Sequence, residues 1–226
     1  MRKTIFTTVL LAACLPGLSQ APANNKTEDD ALKSQAAANS VAYQSDLDFS
    51  YTYTSDWDVV DTKPMMPALH MQTEDKAGSD PEKRAAGCVQ IGLLLRRGDP
   101  ASVVMAISLP WECLGKTYLN SDLPAFGGGV AKGLTRGFDV KDPVYGSYKL
   151  GTHYFWIERM EGTSKQHPEF HRTIEAACTL LKKGAVCMTG LLSNDADSAI
   201  FEQSRIALEG EAATQLIPAN AFAVNH

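Results

Sequence analysis

Apolar and polar residues alternate where the folded region is predicted to begin, and this alternation predicts a β-strand. The segment "LDFSYTYTSDWDVVD" repeats with a period of two, as a half-buried strand does. Its apolar positions are Leu47, Phe49, Tyr51 and Tyr53. Residues 54–56 have the composition of a turn, and residues 57–60 predict a second short strand. The folded region therefore opens with a strand pair.

Two hairpins are predicted further along the chain. The apolar, β-branched runs at 88–97 and 103–109 flank the turn sequence "GDPAS", and those at 171–181 and 185–192 flank "KKG". Two strands are expected between these hairpins, and the second is the aromatic run "HYFWIERM" at residues 153–160. Most of the sheet is therefore predicted from runs joined by short turns.

Two helices complete the pattern. Apolar residues recur at spacings of three and four from Leu123 to Phe138, and "SNDADSAIFEQSRI" (193–206) predicts a helix that begins at Ser193 or Asn194. Gly127-Gly128-Gly129 lies inside the first helix, where each glycine costs about 1 kcal/mol relative to alanine. The favoured interpretation is that these glycines let the helix approach the sheet closely. The neighbouring lysine does not fit a phosphate-binding loop.

The order of elements predicts an α+β fold. Strands joined by short turns favour a single antiparallel sheet, with the helices packed on it as flanking elements. Residues 46–210 are expected to form this domain, preceded by a polar, alanine-rich linker at 24–45 and followed by a loosely held tail at 211–226. No internal repeat is visible.

The N-terminus predicts export. Arg2 and Lys3 precede an apolar run that is too short to span a bilayer, and small residues follow, so residues 1–23 have the layout of a secretory signal peptide. In an alternative reading, "LAAC" resembles a bacterial lipobox and Cys14 becomes the acylated first residue of the mature chain. Ordinary cleavage is favoured, and both readings place the protein in the periplasm or outside the cell.

Export changes the interpretation of the cysteines. Cys14 leaves the thiol pool in either reading, and an even number remains, which favours disulfides. Hairpin geometry predicts the pairs Cys88–Cys113 and Cys178–Cys187, since each pair is brought close across or beside a turn. The alternative is a four-cysteine zinc site, but the short paired spacings typical of such sites are absent. We therefore expect a domain braced by disulfides and no metal.

Charge and composition exclude several classes of function. The apolar fraction of 44% and the charged fraction of 21% are typical of a globular domain. The formal net charge is −5, and becomes −7 when Arg2 and Lys3 are removed with the signal peptide. Without a basic stripe, neither nucleic-acid binding nor electrostatic docking on anionic lipid is expected. Contact with a membrane is expected only through a lipid anchor.

The sequence does not fit the motifs of common hydrolases. "HPEFH" has its glutamate in the wrong place for a zinc protease, "G-x-S-x-G" is absent, and the disulfides leave no cysteine nucleophile. One group of ionisable residues on the predicted strands could instead form a polar ligand site. The group comprises His153, Glu158, Arg159 and Glu175. Buried arginine–glutamate pairing is the alternative explanation for these residues.

The layout resembles the PsbP-like superfamily of small α/β proteins. The resemblance rests on the opening strand "FSYTYTSDWDVVD", the central hairpin, the helix and the closing "FEQSRIAL" helix, across residues 46–209. It implies an antiparallel sheet between helices, a non-catalytic accessory or binding role, and no catalytic residues or cofactor. We therefore expect an exported bacterial envelope protein that binds another envelope protein or a small ligand. The alternative is a secreted hydrolase with a site near His153, Glu158 and Glu175.

Overall fold

The computed structural model describes residues 40–64 and 87–222, and within these the chain forms strands, three α-helices and two short 3₁₀ turns. The strands are β1 (Ser40–Gln44), β2 (Phe49–Thr54), β3 (Asp58–Val59), β4 (Gln90–Arg97), β5 (Ser102–Pro110), β6 (Phe138–Leu150), β7 (His153–Ser164), β8 (His171–Leu180), β9 (Gly184–Leu192), β10 (Arg205–Leu208) and β11 (Thr214–Gln215). The helices are α1 (Trp111–Leu114), α2 (Leu123–Leu134) and α3 (Asp195–Gln203). The predicted signal peptide, Cys14 and most of the linker lie outside the described residues.

The strands form two antiparallel sheets, so the prediction of a single sheet is wrong. The small sheet has the order β1-β2-β10-β11, and the large sheet has the order β3-β4-β5-β9-β8-β7-β6. The difference arises at β10, which the sequence pattern assigned to the end of a helix. Residues 205–208 alternate between exposed or half-buried and buried positions, and Ile206 lies opposite Tyr51 of β2. A partner for β2 therefore exists away from the large sheet.

Helix α3 is entered through Asn194, as predicted, but it ends earlier than predicted. Asn194 caps its first turn, since the side-chain oxygen of Asn194 accepts a hydrogen bond from the backbone N–H of Asp197 at 2.9 Å. Ser204 leaves the helical conformation, with ψ at 157°, and turns the chain into β10. The "FEQSRIAL" segment is therefore half helix and half strand.

The two sheets pack face to face, and helix α2 covers the other face of the large sheet. Phe49 and Tyr51 of the small sheet share one core with Leu95, Phe155 and Ile157 of the large sheet. On the opposite face, helix α2 packs over residues of β7, β8 and β9 in two further apolar clusters. The large sheet is thus the central layer, and its two faces have different neighbours.

The folded region extends beyond 46–210 at both ends. Strand β1 pairs with β2 inside the segment predicted to be a linker, and the ring of Tyr43 packs 5.9 Å from that of Phe49. After β11, Leu216 and Ala221 are fully buried in the core between the sheets, so the expected loosely held tail is instead packed as far as residue 222. Both segments contain few apolar residues, but those residues pack against the core between the sheets.

Strand β6 replaces the end of the predicted first helix. Helix α2 ends at Leu134, a 3₁₀ turn follows at 135–137, and Phe138 begins a strand of 13 residues at the edge of the large sheet. Phe138 fits the helical spacing of apolar residues, but it packs from the strand against the cluster that contains Leu134 and Met160. Periodicity alone could not separate these two placements.

The structure contains both predicted disulfides. Cys88 and Cys113 are joined with their Cα atoms 5.7 Å apart, and Cys178 and Cys187 lie directly opposite each other on β8 and β9, 4.1 Å apart. The second pair is completely buried beneath α2. The basic turn at 182–184 is therefore part of a cross-linked hairpin.

The glycines of helix α2 are not equivalent, which gives a matched test of the packing. A Cβ atom on Gly127 would lie 2.3 Å from Cδ1 of Trp156, whereas one on Gly129 would meet nothing within 4 Å. We expect Gly129→Ala to raise the free energy of unfolding by up to about 1 kcal/mol, because alanine favours the helix. Gly127→Ala should lower it by about 1–3 kcal/mol through overpacking. Urea denaturation of the two variants measures both; equal effects would show that close packing on Trp156 is unimportant.

Candidate ligand-binding site

The four residues predicted to form a site do not converge. Successive side chains of β7 point to opposite faces of the sheet, so His153 and Arg159 face the small sheet, while Glu158 faces the side covered by α2. His153 and Arg159 are six residues apart on one strand, which corresponds to about 20 Å. Only Arg159 and Glu175 come together, directly opposite each other on β7 and β8. The proposed hydrolase grouping of His153, Glu158 and Glu175 is therefore not assembled.

Arg159 and Glu175 form part of an ion-pair network inside the fold. Arg159 pairs with the carboxylate of Glu175, which is fully buried, and also with Glu202 of helix α3. The guanidinium carbon of Arg159 lies 4.7 Å from the ring centre of Phe222, in the C-terminal segment. Burial raises the pKa of Glu175, and the charge of Arg159 opposes this rise. The network joins β7, β8, α3 and the chain end.

His153 belongs to a second, separate group at the turn between β6 and β7. Its Nε2 lies 3.9 Å from Glu209 and 3.8 Å from Glu211. The hydroxyl of Thr152 donates a hydrogen bond to Glu211 at 2.6 Å, and bonds from Thr152 lower the pKa of the Glu211 carboxyl. These contacts fasten the turn to the segment after β10. Within the described ranges, no group of three ligating side chains suited to a metal ion is present.

A surface cleft next to this group is lined by charged residues that are already paired. Its lining comprises Gln44, Asp48, Lys182, Glu209 and Gly210. The ammonium of Lys182 lies 3.2 Å from Glu209, and that of Lys183 lies 2.7 Å from Asp48. Paired charges of opposite sign offer little to a ligand, so this cleft is a weak candidate for a binding site.

A third ionic group holds the start of helix α3. Arg97 pairs with Asp197 and with Asp56, and its guanidinium carbon lies 4.4 Å from the ring centre of Trp57. Asp197 also accepts a hydrogen bond from Ser102 of β5. These contacts connect helix α3 to both strands of the β4–β5 hairpin, so their role is to stabilise the fold.

The remaining predicted residue, Glu158, lies in a different environment, which we call the β6–β7 patch. The patch consists of Tyr145 on β6 and of Trp156 and Glu158 on β7. Tyr145 is directly opposite Glu158, and its ring stacks on that of Trp156 with centroids 5.6 Å apart. Helix α2 borders the patch through Gly127, which touches Trp156. Sheet register, which the sequence does not give, brings the three side chains together.

Two polar atoms of the β6–β7 patch are buried without a hydrogen-bond partner. They are Oε2 of Glu158 and Nε1 of Trp156. The Glu158 residue is only 7% exposed, and burial raises the pKa of its carboxyl. A buried acceptor and a buried donor without partners each cost free energy that a bound ligand could recover. This is the chemistry of a binding site, with one carboxylate and two aromatic faces.

These observations define a two-sheet α+β fold, braced by disulfides, that presents an aromatic and acidic patch beside its edge strand. No family model matches the chain, and neither does any curated protein. Among solved structures, the chain is similar to the solution structure of cyanobacterial PsbP (CyanoP) from Synechocystis sp. PCC 6803. The two are 11% identical, the match covers 76% of this chain and 93% of that chain, and the TM-score is 0.42. At this level the likeness concerns the fold alone, and membership of the PsbP-like superfamily stays a prediction.

Proposed function

We propose that this protein is an exported envelope protein that acts as a non-catalytic binding domain. The β6–β7 patch is the observation that carries the proposal, because Oε2 of Glu158 and the indole N–H of Trp156 are buried there without hydrogen-bond partners, and the ring of Trp156 stacks on that of Tyr145. Aromatic faces with a few polar groups bind and orient ligands. The ligand or partner protein would meet the large sheet at this edge.

The ionisable groups elsewhere support a binding role over a catalytic one. Arg159 and Glu175 are engaged with each other, and Arg159 also with Glu202, while His153 faces two carboxylates at the far end of β7. Each of these groups therefore holds two or more elements of the fold together. Tyr145 on β6 and Ala176 on β8 lie directly opposite Glu158, so no second carboxylate and no histidine faces it there, and the patch is suited to recognition.

Export is supported by the disulfides and by the N-terminal sequence. Disulfides persist in oxidising compartments and are rare in the cytosol. The basic, apolar and small-residue layout of residues 1–23 supports secretion, and Cys14 offers lipid anchoring as the alternative to a free mature protein. No helix among the described residues has the length and apolar character needed to cross a bilayer. The proposed location is the periplasm or the outer surface of the cell.

Enrichment from the native envelope tests the proposed function. The full chain, tagged at its C-terminus, is cross-linked in its own cells and recovered beside a variant with Tyr145→Ser and Trp156→Ser. We expect one component, a protein or a small molecule, to be recovered with the parent and lost with the variant, because the patch is the contact surface. A control with Lys165→Ser, which breaks an exposed ion pair between the loop after β7 and Asp139 of β6, should recover the same component.

The contradicting result is catalysis. Turnover of a small ester or glycan by the purified parent, lost in Glu175→Gln at unchanged stability, would overturn the proposal and restore the hydrolase reading. Recovery of the same component by parent and patch variant would also contradict it.

A further inference from the structure

We infer that the β6–β7 patch binds an organic cation, namely an ammonium group that carries alkyl substituents, with its charge against Glu158 and its substituents against the rings of Tyr145 and Trp156. This inference rests on the proposed binding function and specifies its ligand. An alkylammonium can belong to a free small molecule or to a larger molecule that displays it. The shared chemistry is a soft, weakly hydrated positive charge.

The position of Glu158 favours a positively charged ligand. Its Oε2 is buried without a partner, and no ion pair joins Glu158 to an arginine or lysine of the described chain. The nearest register positions on the neighbouring strands are occupied by Tyr145 and Ala176, neither of which carries a positive charge. A cation bound here would supply the missing counter-charge.

The aromatic rings favour an alkylated cation over a metal ion or a bare ammonium. Tyr145 and Trp156 are stacked with an interplanar angle of 29°, and Tyr145 is 41% exposed, so accessible aromatic surface lies beside Glu158. Cations whose charge is spread over methyl or methylene groups bind aromatic faces well, because little hydration is lost on contact. The formal charge of −5 adds a general attraction for cations.

The chain itself shows that such contacts form on this sheet face. On the same face of β6 and β7, four residues from Tyr145, the Nζ of Lys149 lies 5.3 Å from the ring centre of Tyr154. Lys149 is about 13 Å along the strand from the position opposite Glu158, so it does not fill the patch. The patch therefore combines the aromatic component of such a contact with a carboxylate.

Titration with tetramethylammonium and with neutral tert-butanol, which is similar in size, tests the inference. Binding to the full mature protein is followed by NMR at the indole N–H of Trp156, assigned with Trp156→Phe. We expect tetramethylammonium to shift this signal saturably and tert-butanol to bind at least about tenfold more weakly, a difference of about 1.4 kcal/mol. Glu158→Gln, which keeps the shape of the side chain, should weaken tetramethylammonium binding by about tenfold.

Glu161→Gln is the matched control. Glu161 lies on the same strand, exposed, where it accepts a hydrogen bond from Thr173, and its substitution changes the net charge equally. It should leave the affinity unchanged. Equal binding of the neutral probe, equal effects of the two glutamine variants, or no saturable shift would each overturn the inference. The proposed function is judged separately by the envelope enrichment, which does not depend on the charge of the ligand.

Discussion

Arg159→Met is expected to lower the free energy of unfolding by about 3 kcal/mol, because it leaves the buried carboxylate of Glu175 without its counter-charge. Glu175 is completely buried, and Arg159 is the positive group that faces it from the neighbouring strand. Losing one member of a buried pair costs more than the pair itself contributes, since the remaining charge stays out of water. Urea denaturation monitored by tryptophan fluorescence measures the change.

A double variant separates the cost of an orphaned charge from the loss of packing. Arg159→Met with Glu175→Leu should recover most of the lost stability, because an apolar pair of similar volume needs no counter-charge. Lys165→Met is the control for a simple loss of positive charge. Lys165 and Asp139 form an exposed pair at 3.8 Å, so its removal should change stability by less than about 0.5 kcal/mol. A double variant as unstable as Arg159→Met would contradict the structural role of the pair.

The loss in free energy of unfolding caused by Arg159→Met should also depend on pH. Burial raises the pKa of Glu175 from 4.5, and Arg159 opposes that rise. An acid whose pKa is higher in the folded state takes up protons on folding, so its contribution to stability falls as pH rises from the unfolded pKa towards the folded one. Without Arg159 the folded pKa is higher still. The difference between parent and variant should therefore be larger at pH 7 than near pH 4, and a constant difference would contradict this.

Replacing either pair of bonded cysteines with alanines is expected to lower the free energy of unfolding by about 3 kcal/mol. The reason is that the unfolded chain regains the conformational entropy that the closed loop removes. Cys88 and Cys113 close a loop with a sequence separation of 25, and Cys178 and Cys187 close one with a separation of 9. The longer loop favours a larger entropic effect, but the shorter bridge is fully buried beneath α2, so its removal adds a cavity. Thermal unfolding of the two double variants measures both effects.

Burial also predicts the order in which the disulfides react. Cys113 is exposed, whereas Cys178 and Cys187 are completely buried. Mild reductant and an alkylating agent should therefore label Cys88 and Cys113 before the pair on β8 and β9. Peptide mapping at successive times follows this order. Labelling of both pairs at the same rate would mean that the protein unfolds before either bridge is reduced.

Local patterns predicted the hairpins and both cysteine pairs, because these depend on residues close in sequence. Cys178 and Cys187 flank a tight turn, so register across that turn was enough to align them. The second sheet was missed because β2 pairs with β10, more than 150 residues away, and four residues are too short a run to outweigh a preceding helical pattern. Long-range pairing leaves no local signature.

The candidate site was only partly predictable for the same reason. Glu158 was selected from the sequence, but it was grouped with Arg159 and Glu175, which alternation places on the opposite face. Tyr145 and Trp156 were not selected, since their contact with Glu158 depends on the register of β6, a strand whose bulge between Lys141 and Val144 shifts that register. A bulge of this kind reverses which side chains face the helix.

Export is the claim on which the proposed function depends, and the covalent state of the protein from its native cells tests it most directly. The unreduced protein is alkylated, and its N-terminus and cysteine peptides are identified by mass spectrometry. We predict an N-terminus after residue 23, or an acylated Cys14, together with the pairs Cys88–Cys113 and Cys178–Cys187 protected from alkylation. A chain that retains residues 1–23 and carries five alkylated thiols, Cys14 included, would contradict export and the binding role proposed for it.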